Sequence, residues 1–158
     1  MDEQEQRART KEWLLGYGRN RLKLQQLKRK IRKITQDIKL LPYIGGFNYG
    51  SVHRGSSGQR SSPVERYEAR KGQLEERRAA LEKQTRDLVL QITESEKLFA
   101  MLPGGDLLRD FYGSTTMTVG EVGKKYGISG LACAIQIATL ERVELPRLLF
   151  KAGQLPGR

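Results

Sequence analysis

Cysteine and histidine are almost absent from this chain, which has one of each in 158 residues. Cys133 lies in an apolar run and is predicted to be a small core residue, because one cysteine supports neither a disulfide nor a zinc site within the chain. His53 has no metal-ligating neighbour in the sequence and is interpreted as a loop residue. With no nucleophile beside a base, no metal-ligand set and no cofactor motif, the sequence predicts a protein that is not an enzyme and needs no cofactor.

Long apolar runs are also missing. No uninterrupted stretch approaches the roughly 20 residues that a membrane span requires. The first residues, MDEQEQRARTKEW, contain no apolar signal segment. The expectation is therefore a soluble protein of the cytoplasm that has no membrane partner.

Acidic residues are outnumbered, with 18 Asp and Glu against 29 Lys and Arg, a net charge of +11. An excess of this size favours a polyanionic partner, most often nucleic acid and less often a membrane surface or an acidic protein. The alternative is a charge that only keeps the protein in solution. Most of the excess lies in residues 1–41, which hold twelve basic and five acidic side chains, whereas residues 64–101 are balanced.

Residues 1–42 are predicted to form a basic N-terminal helix. Apolar residues from Leu24 to Leu41 recur at alternating spacings of three and four, which is typical of a coiled-coil seam. Two glycines within residues 16–18 lower the helix propensity, so we expect a bend or a break there. Pro42 then ends the helix.

A Gly/Ser-rich linker is predicted over residues 43–62, and a second long helix over residues 63–101. Ser62 followed by Pro63 is a typical helix start. The seam of this helix is only half-apolar: Tyr67, Leu74, Leu81, Leu88, Ile92 and Phe99 alternate with Lys71, Arg78 and Thr85. We expect the helix to pack on the first one as an antiparallel hairpin, with dimerisation as a second way to complete the core.

Residues 102–150 have the layout of a helix-turn-helix unit. Thr118 can cap a short helix, and Glu121 can close a capping box three residues later. Gly127 suits a left-handed helix end, and Ser129 can cap a second helix that runs to about Leu140. Such a motif positions its second helix for the major groove of DNA.

The sequence thus predicts an all-α protein: a long basic helical hairpin, coiled-coil-like, followed by a small trihelical helix-turn-helix unit. Pro146 is expected to interrupt or end the last helix. Residues 151–158 are predicted to be a flexible tail because they are rich in glycine and proline.

Three segments carry a family resemblance. They are the Gly/Ser stretch GSVHRGSSGQRSSPVERYE, the charged helix QLEERRAALEKQTRDLVLQI and the C-terminal LLRDFY…TVGEVGKKYGIS. Together they resemble the sigma-like late-gene regulators of phages and prophages (ArpU/RinA type), at motif level over residues 107–130. The last segment is similar to the sigma-factor region that reads the −35 promoter element. The resemblance implies transcription regulation in the cytoplasm of a bacterial host, with duplex DNA and RNA polymerase as partners.

Candidate nucleic-acid contacts fall on two parts of the chain. The basic run from Lys28 to Lys33 lies between seam positions, and we interpret it as a phosphate-binding stripe in preference to a merely solvated face. The second helix of the helix-turn-helix, GLACAIQIATLERVE, has few base-reading side chains, so it either reads DNA or packs on protein. The candidate set is Arg19, Arg21, Lys23, Lys28, Arg29, Lys30, Arg32, Lys33, Lys124, Lys125, Ser129, Gln136 and Arg142.

These features together predict a phage-type DNA-binding transcription regulator. Two other hypotheses stay open. One is a phage-encoded inhibitor that binds a nucleoprotein, such as a CRISPR effector, through its basic helices. The other is a small terminase subunit for DNA packaging, which would assemble into a ring of many copies.

Overall fold

The computed structural model describes residues 2–41, 62–114 and 116–155, and every regular element in these ranges is helical. The predicted all-α class is therefore confirmed. The linker predicted over residues 43–62 lies outside the described residues, except for Ser62.

The first helix, α1, runs from Glu3 to Lys39 without interruption. Of the seam predicted from Leu24 to Leu41, Leu27 and Ile34 are buried and the other apolar members are half-buried. Burial also extends toward the N-terminus, to Thr10, Leu14 and Tyr17. The sequence prediction was a bend or a break at residues 16–18, and a break is wrong: Tyr17, which lies between the two glycines, is buried against Phe99, and this packing outweighs their low helix propensity.

The second helix, α2, runs from Pro63 to Ala100. Ser62 and Glu65 form a reciprocal capping box: the Glu65 N–H donates to Ser62 Oγ at 3.1 Å, and the Ser62 N–H donates to a Glu65 carboxylate oxygen at 3.3 Å. Two orphan donors of the first turn are thereby satisfied.

The chain divides into two compact units. One contains residues 26–86, with Leu27, Ile34 and Leu74 in its apolar seam. The other contains Met1–Gln25 and Asp87–Arg158.

Within this second unit, Phe99 of α2 packs between Trp13 and Tyr17, with ring centroids 5.4 and 4.9 Å away. Tyr17 also donates a hydrogen bond to Glu96 at 2.9 Å. Since residue numbers rise along one helix as they fall along the other, the helices are antiparallel here, as predicted.

Three short helices follow, namely α3 (Gly105–Gly113), α4 (Val119–Lys125) and α5 (Gly130–Thr139). They share a core to which each contributes fully or almost fully buried side chains. These are Leu107, Leu108, Tyr112, Val122, Cys133 and Ile137. The predicted trihelical unit is therefore present, and Cys133 is a core residue.

The helical path continues beyond α5 through a π-helical turn, Leu140–Glu144, into α6, Leu145–Lys151. Pro146 does not end this path. The turn is closed by a bond from the Leu145 N–H to the Leu140 carbonyl, five residues back, and the proline takes a first-turn position of α6, where no N–H is required. Leu155, an apolar residue that the sequence prediction assigned to a flexible tail, is buried.

Candidate nucleic-acid interface

The helix-turn-helix frame is built from the caps and the glycine that the sequence indicates, but the capping box predicted with Glu121 is only half formed, because no bond from the Thr118 N–H to the Glu121 carboxylate is found in the described residues. Thr118 caps α4, and its Oγ1 accepts the Glu121 N–H at 3.3 Å. Gly127 has φ of +72°, which allows the chain to reverse after α4. The Ile128 N–H then donates to the Gly123 carbonyl at 2.9 Å, and Ser129 caps α5 by accepting the Ala132 N–H at 3.1 Å.

The two helices of the motif meet across a glycine. A side-chain carbon at Gly123 would lie 2.9 Å from the Ile128 carbonyl oxygen and 3.3 Å from Cys133 Cβ. Both distances are too short for a larger residue without a shift of the turn. Gly123 therefore sets the close approach of α4 to α5. The Cys133 thiol lies at this contact, and its burial raises its pKa.

The outer face of α5 is mainly apolar. Leu131 is 74% exposed and Ile135 is 58% exposed, and Ala134 lies between them, also exposed. Gln136 is exposed on the same helix and is its one side-chain amide. The Ser129 oxygen is engaged in the cap, which leaves its hydroxyl proton as a donor. This face offers one amide, one hydroxyl and several methyl groups, with no cation among residues 129–139.

The two lysines of α4 have different environments. Lys125 donates to Asp110 Oδ2 at 2.8 Å, and Tyr126 donates to the same oxygen. Burial of Asp110 raises its pKa, but these two hydrogen bonds and the positive charges of Lys125 and Arg109 together outweigh burial, and the net shift of the pKa is downward. Lys125 is thus held by a carboxylate, whereas Lys124 is exposed and has no carboxylate within 4.0 Å among the described residues.

A set of five exposed cations lies on α1 in the unit formed by residues 26–86, and we call it the basic stripe: Lys28, Arg29, Lys30, Arg32 and Lys33. None of them lies within 4.0 Å of a carboxylate in the described residues, and all 18 Asp and Glu of the chain are among those residues. Between Glu12 and Asp37 the sequence has no acid. The positive charge of the basic stripe is therefore not neutralised by side chains of this chain.

The three basic candidates before the basic stripe do not share one role. Arg19 and Lys23 are exposed. Arg21 forms an ion pair with Glu96 at 2.9 Å and donates to the Tyr17 hydroxyl at 3.2 Å. Arg21 therefore contributes to the contact between α1 and α2, and its predicted role in phosphate binding has a competing structural one.

Arg142 projects from the π-helical turn and is exposed. It lines a cavity of about 340 Å³ together with Arg7 and Lys11 from the start of α1. Arg7 and Lys11 were not predicted from the sequence, because no sequence pattern indicates that the first turns of α1 lie near Arg142.

Some classes of site are not found in the described part of the chain. Residues 2–41, 62–114 and 116–155 contain no group of three or more His, Cys, Asp or Glu arranged to hold a metal ion. None of the helices in these ranges is both long enough and apolar enough to cross a membrane.

Comparisons with protein-family models, with curated proteins and with solved structures find no match to this chain.

Proposed function

We propose that this protein is a phage-type transcription regulator that binds duplex DNA through its helix-turn-helix unit. The observation that carries the proposal is the frame of that unit: both caps, the left-handed glycine and the glycine contact hold α5 with its outer face open to a groove. A helix presented in this way fits the major groove of B-form DNA.

The chemistry of α5 indicates what it would read. Leu131, Ala134 and Ile135 offer apolar contacts to thymine methyl groups, and the Gln136 amide suits the paired acceptor and donor of adenine. Since no arginine or lysine is available on α5 for guanine, the proposal includes a preference for A·T-rich sites.

Phosphate contacts would come from elsewhere on the chain. Lys124 on α4 contributes one, and the basic stripe supplies a second, sequence-independent source of affinity. Each phosphate that is neutralised releases counterions, so affinity would fall steeply as salt is raised.

Charge reversal tests the proposed phosphate contacts of the basic stripe. One variant changes all five residues of the basic stripe to Glu. The matched control reverses five exposed cations of α2, for which no ion pair is found in the described residues: Arg66, Arg70, Arg77, Lys83 and Arg86. Both variants have the same net charge. We expect a larger loss of duplex affinity and a flatter dependence on salt in the stripe variant, and equal losses would refute a specific role for the stripe.

Selection of bound sequences from a pool of random duplexes tests whether α5 recognises the base sequence. We expect the wild-type protein to enrich A·T-rich sequences and Gln136→Ala to lose the preference for adenine at one position, at a cost of about 1–3 kcal/mol there. Duplex binding with no enrichment would leave DNA binding standing but refute reading by α5. No duplex binding at any salt would refute the regulator.

A second function is favoured by one observation. Leu131 and Ile135 are large exposed apolar side chains on one helix, which is more typical of a protein contact than of a solvated surface. We propose as the alternative an inhibitor that engages a nucleoprotein, in which the basic stripe contacts RNA or DNA and α5 contacts protein. Binding to a protein–RNA complex at a salt concentration that abolishes binding to free duplex would favour this alternative.

A further inference from the structure

A cavity of about 340 Å³ lies between the first turns of α1 and the π-helical turn, within one compact unit. Its volume is at the lower end of the range of small-ligand pockets, about 300–1,000 Å³. Neither α4, α5 nor the basic stripe contributes to its lining, so the cavity is separate from the proposed DNA contacts of α5 and of the stripe.

Three of the seven residues that line the cavity are cations. Arg7, Lys11 and Arg142 border it, with Glu141 as the single carboxylate. Arg142 has no carboxylate within 4.0 Å, although every Asp and Glu of the chain is described. Arg7 pairs with Glu3 one turn earlier on α1, an exposed pair that leaves most of the guanidinium donors available.

The carboxylate of the cavity is already engaged. Glu141 accepts a hydrogen bond from the Tyr112 hydroxyl, and Lys11 Nζ lies 2.7 Å from that hydroxyl and 5.0 Å from the centre of its ring. This chain of contacts fixes Lys11 and Glu141 at the cavity wall. It also directs the negative charge of Glu141 toward Tyr112, which leaves Arg142 and Arg7 as the groups open to a ligand.

The buried residues of the cavity lining have no polar group left to satisfy. Leu14 is fully buried, and Thr10 is buried with its hydroxyl donating to the Gln6 carbonyl at 2.8 Å. A lining that combines three cations with the apolar residues Ala8 and Leu14 suits a ligand that has an anionic group and a planar or apolar part. Guanidinium groups favour phosphate oxygens because they donate two parallel hydrogen bonds.

From the cavity, its cations and its apolar lining residues, we propose that this site binds a phosphate group, carried either by a ligand the size of a mononucleotide or by the backbone of a bound nucleic acid. The π-helical turn supports the assignment. It adds one residue to a helical path, and the two residues that line the cavity from this side, Glu141 and Arg142, both belong to it. Such turns recur at functional sites.

Calorimetric titration of the full chain tests the proposal, with AMP, inorganic pyrophosphate and a short duplex as separate probes. The variants are Arg142→Ala and the control Arg147→Ala, which removes an exposed arginine of α6 that does not line the cavity. Thermal denaturation of each variant checks that folding is unchanged.

We expect AMP and pyrophosphate to bind the wild-type protein and Arg147→Ala alike, and Arg142→Ala to bind them about tenfold more weakly. If only the duplex binds and Arg142→Ala alone weakens it by that factor, the phosphate comes from a nucleic-acid backbone. The proposal is overturned if the two variants match the wild-type protein with all three probes. The AMP and pyrophosphate arms do not depend on the proposed regulation of transcription, so their result stands apart from it.

Discussion

Gly18 and Gly16 lie two residues apart on α1 and are predicted to respond to alanine with opposite signs. A side-chain carbon at Gly18 would lie 2.4 Å from the Tyr112 carbonyl oxygen, which is backbone and cannot move out of the way cheaply. At Gly16 the nearest atom is the far end of Arg19, at 3.8 Å, an ordinary contact. The two positions share a helix and an amino-acid type, so they differ mainly in this contact.

The magnitudes follow from two terms. Replacing a mid-helix glycine by alanine stabilises a helix by about 0.5–1 kcal/mol, which is the whole effect expected of Gly16→Ala. In Gly18→Ala this gain is offset by overpacking, which costs about 1–3 kcal/mol. We therefore expect a net loss of about 1 kcal/mol, and a difference of about 2 kcal/mol between the two variants.

Urea denaturation measures both variants in the unit where the contact lies. Trp13 is the only tryptophan of the chain and packs against Phe99, so its fluorescence reports on that unit. The reasoning is refuted if Gly18→Ala is as stable as Gly16→Ala, because α3 would then not lie against α1 at this point.

Three further outcomes are expected. Ser129→Ala removes the cap that accepts the Ala132 N–H, so it should cost about 1 kcal/mol in thermal denaturation, and an unchanged midpoint would contradict the cap. Leu149→Ala empties a position that is 0% exposed and should cost about 2–5 kcal/mol, whereas Leu131→Ala, at 74% exposure, should stay within about 0.5 kcal/mol. Burial raises the pKa of Tyr17 from 10.0 to about 12, so its contribution to stability should be complete below pH 10 and lost as the pH rises toward 12. Tyr17→Phe should reduce this alkaline loss, which absorbance of tyrosinate during titration can follow, and an identical alkaline profile would argue against a buried Tyr17.

The elements that sequence predicted well depend on neighbours along the chain. The seam from Leu24 to Leu41 follows from spacing alone, and the caps at Thr118 and Ser129 act on backbone N–H groups three residues away. Such local signals do not depend on contacts with distant parts of the chain. For this reason the helices and the frame of the helix-turn-helix were predictable.

What sequence could not supply are contacts between distant parts of the chain. From the sequence alone, Gly18 is interpreted as a helix breaker, whereas in the structure the Tyr112 carbonyl lies beside it and leaves no room for a side chain. From the sequence alone, Arg21 and Lys125 are interpreted as free cations, whereas in the structure Arg21 pairs with Glu96 and Lys125 pairs with Asp110. The cavity at Arg142 depends in the same way on residues at the opposite end of the sequence. Each of these depends on tertiary packing, which no local pattern encodes.

The absence of acids between Glu12 and Asp37 has a consequence for the protein without any partner. Lys28 with Arg32, and Arg29 with Lys33, stand four residues apart on α1, where like charges each cost about 0.2–0.5 kcal/mol. Without a partner, the helix is therefore slightly destabilised by Coulombic repulsion between these side chains. Either dissolved salt or a bound polyanion reduces this repulsion. Salt and ligand therefore compete for the same stabilisation: salt strengthens the unoccupied helix while it weakens the complex.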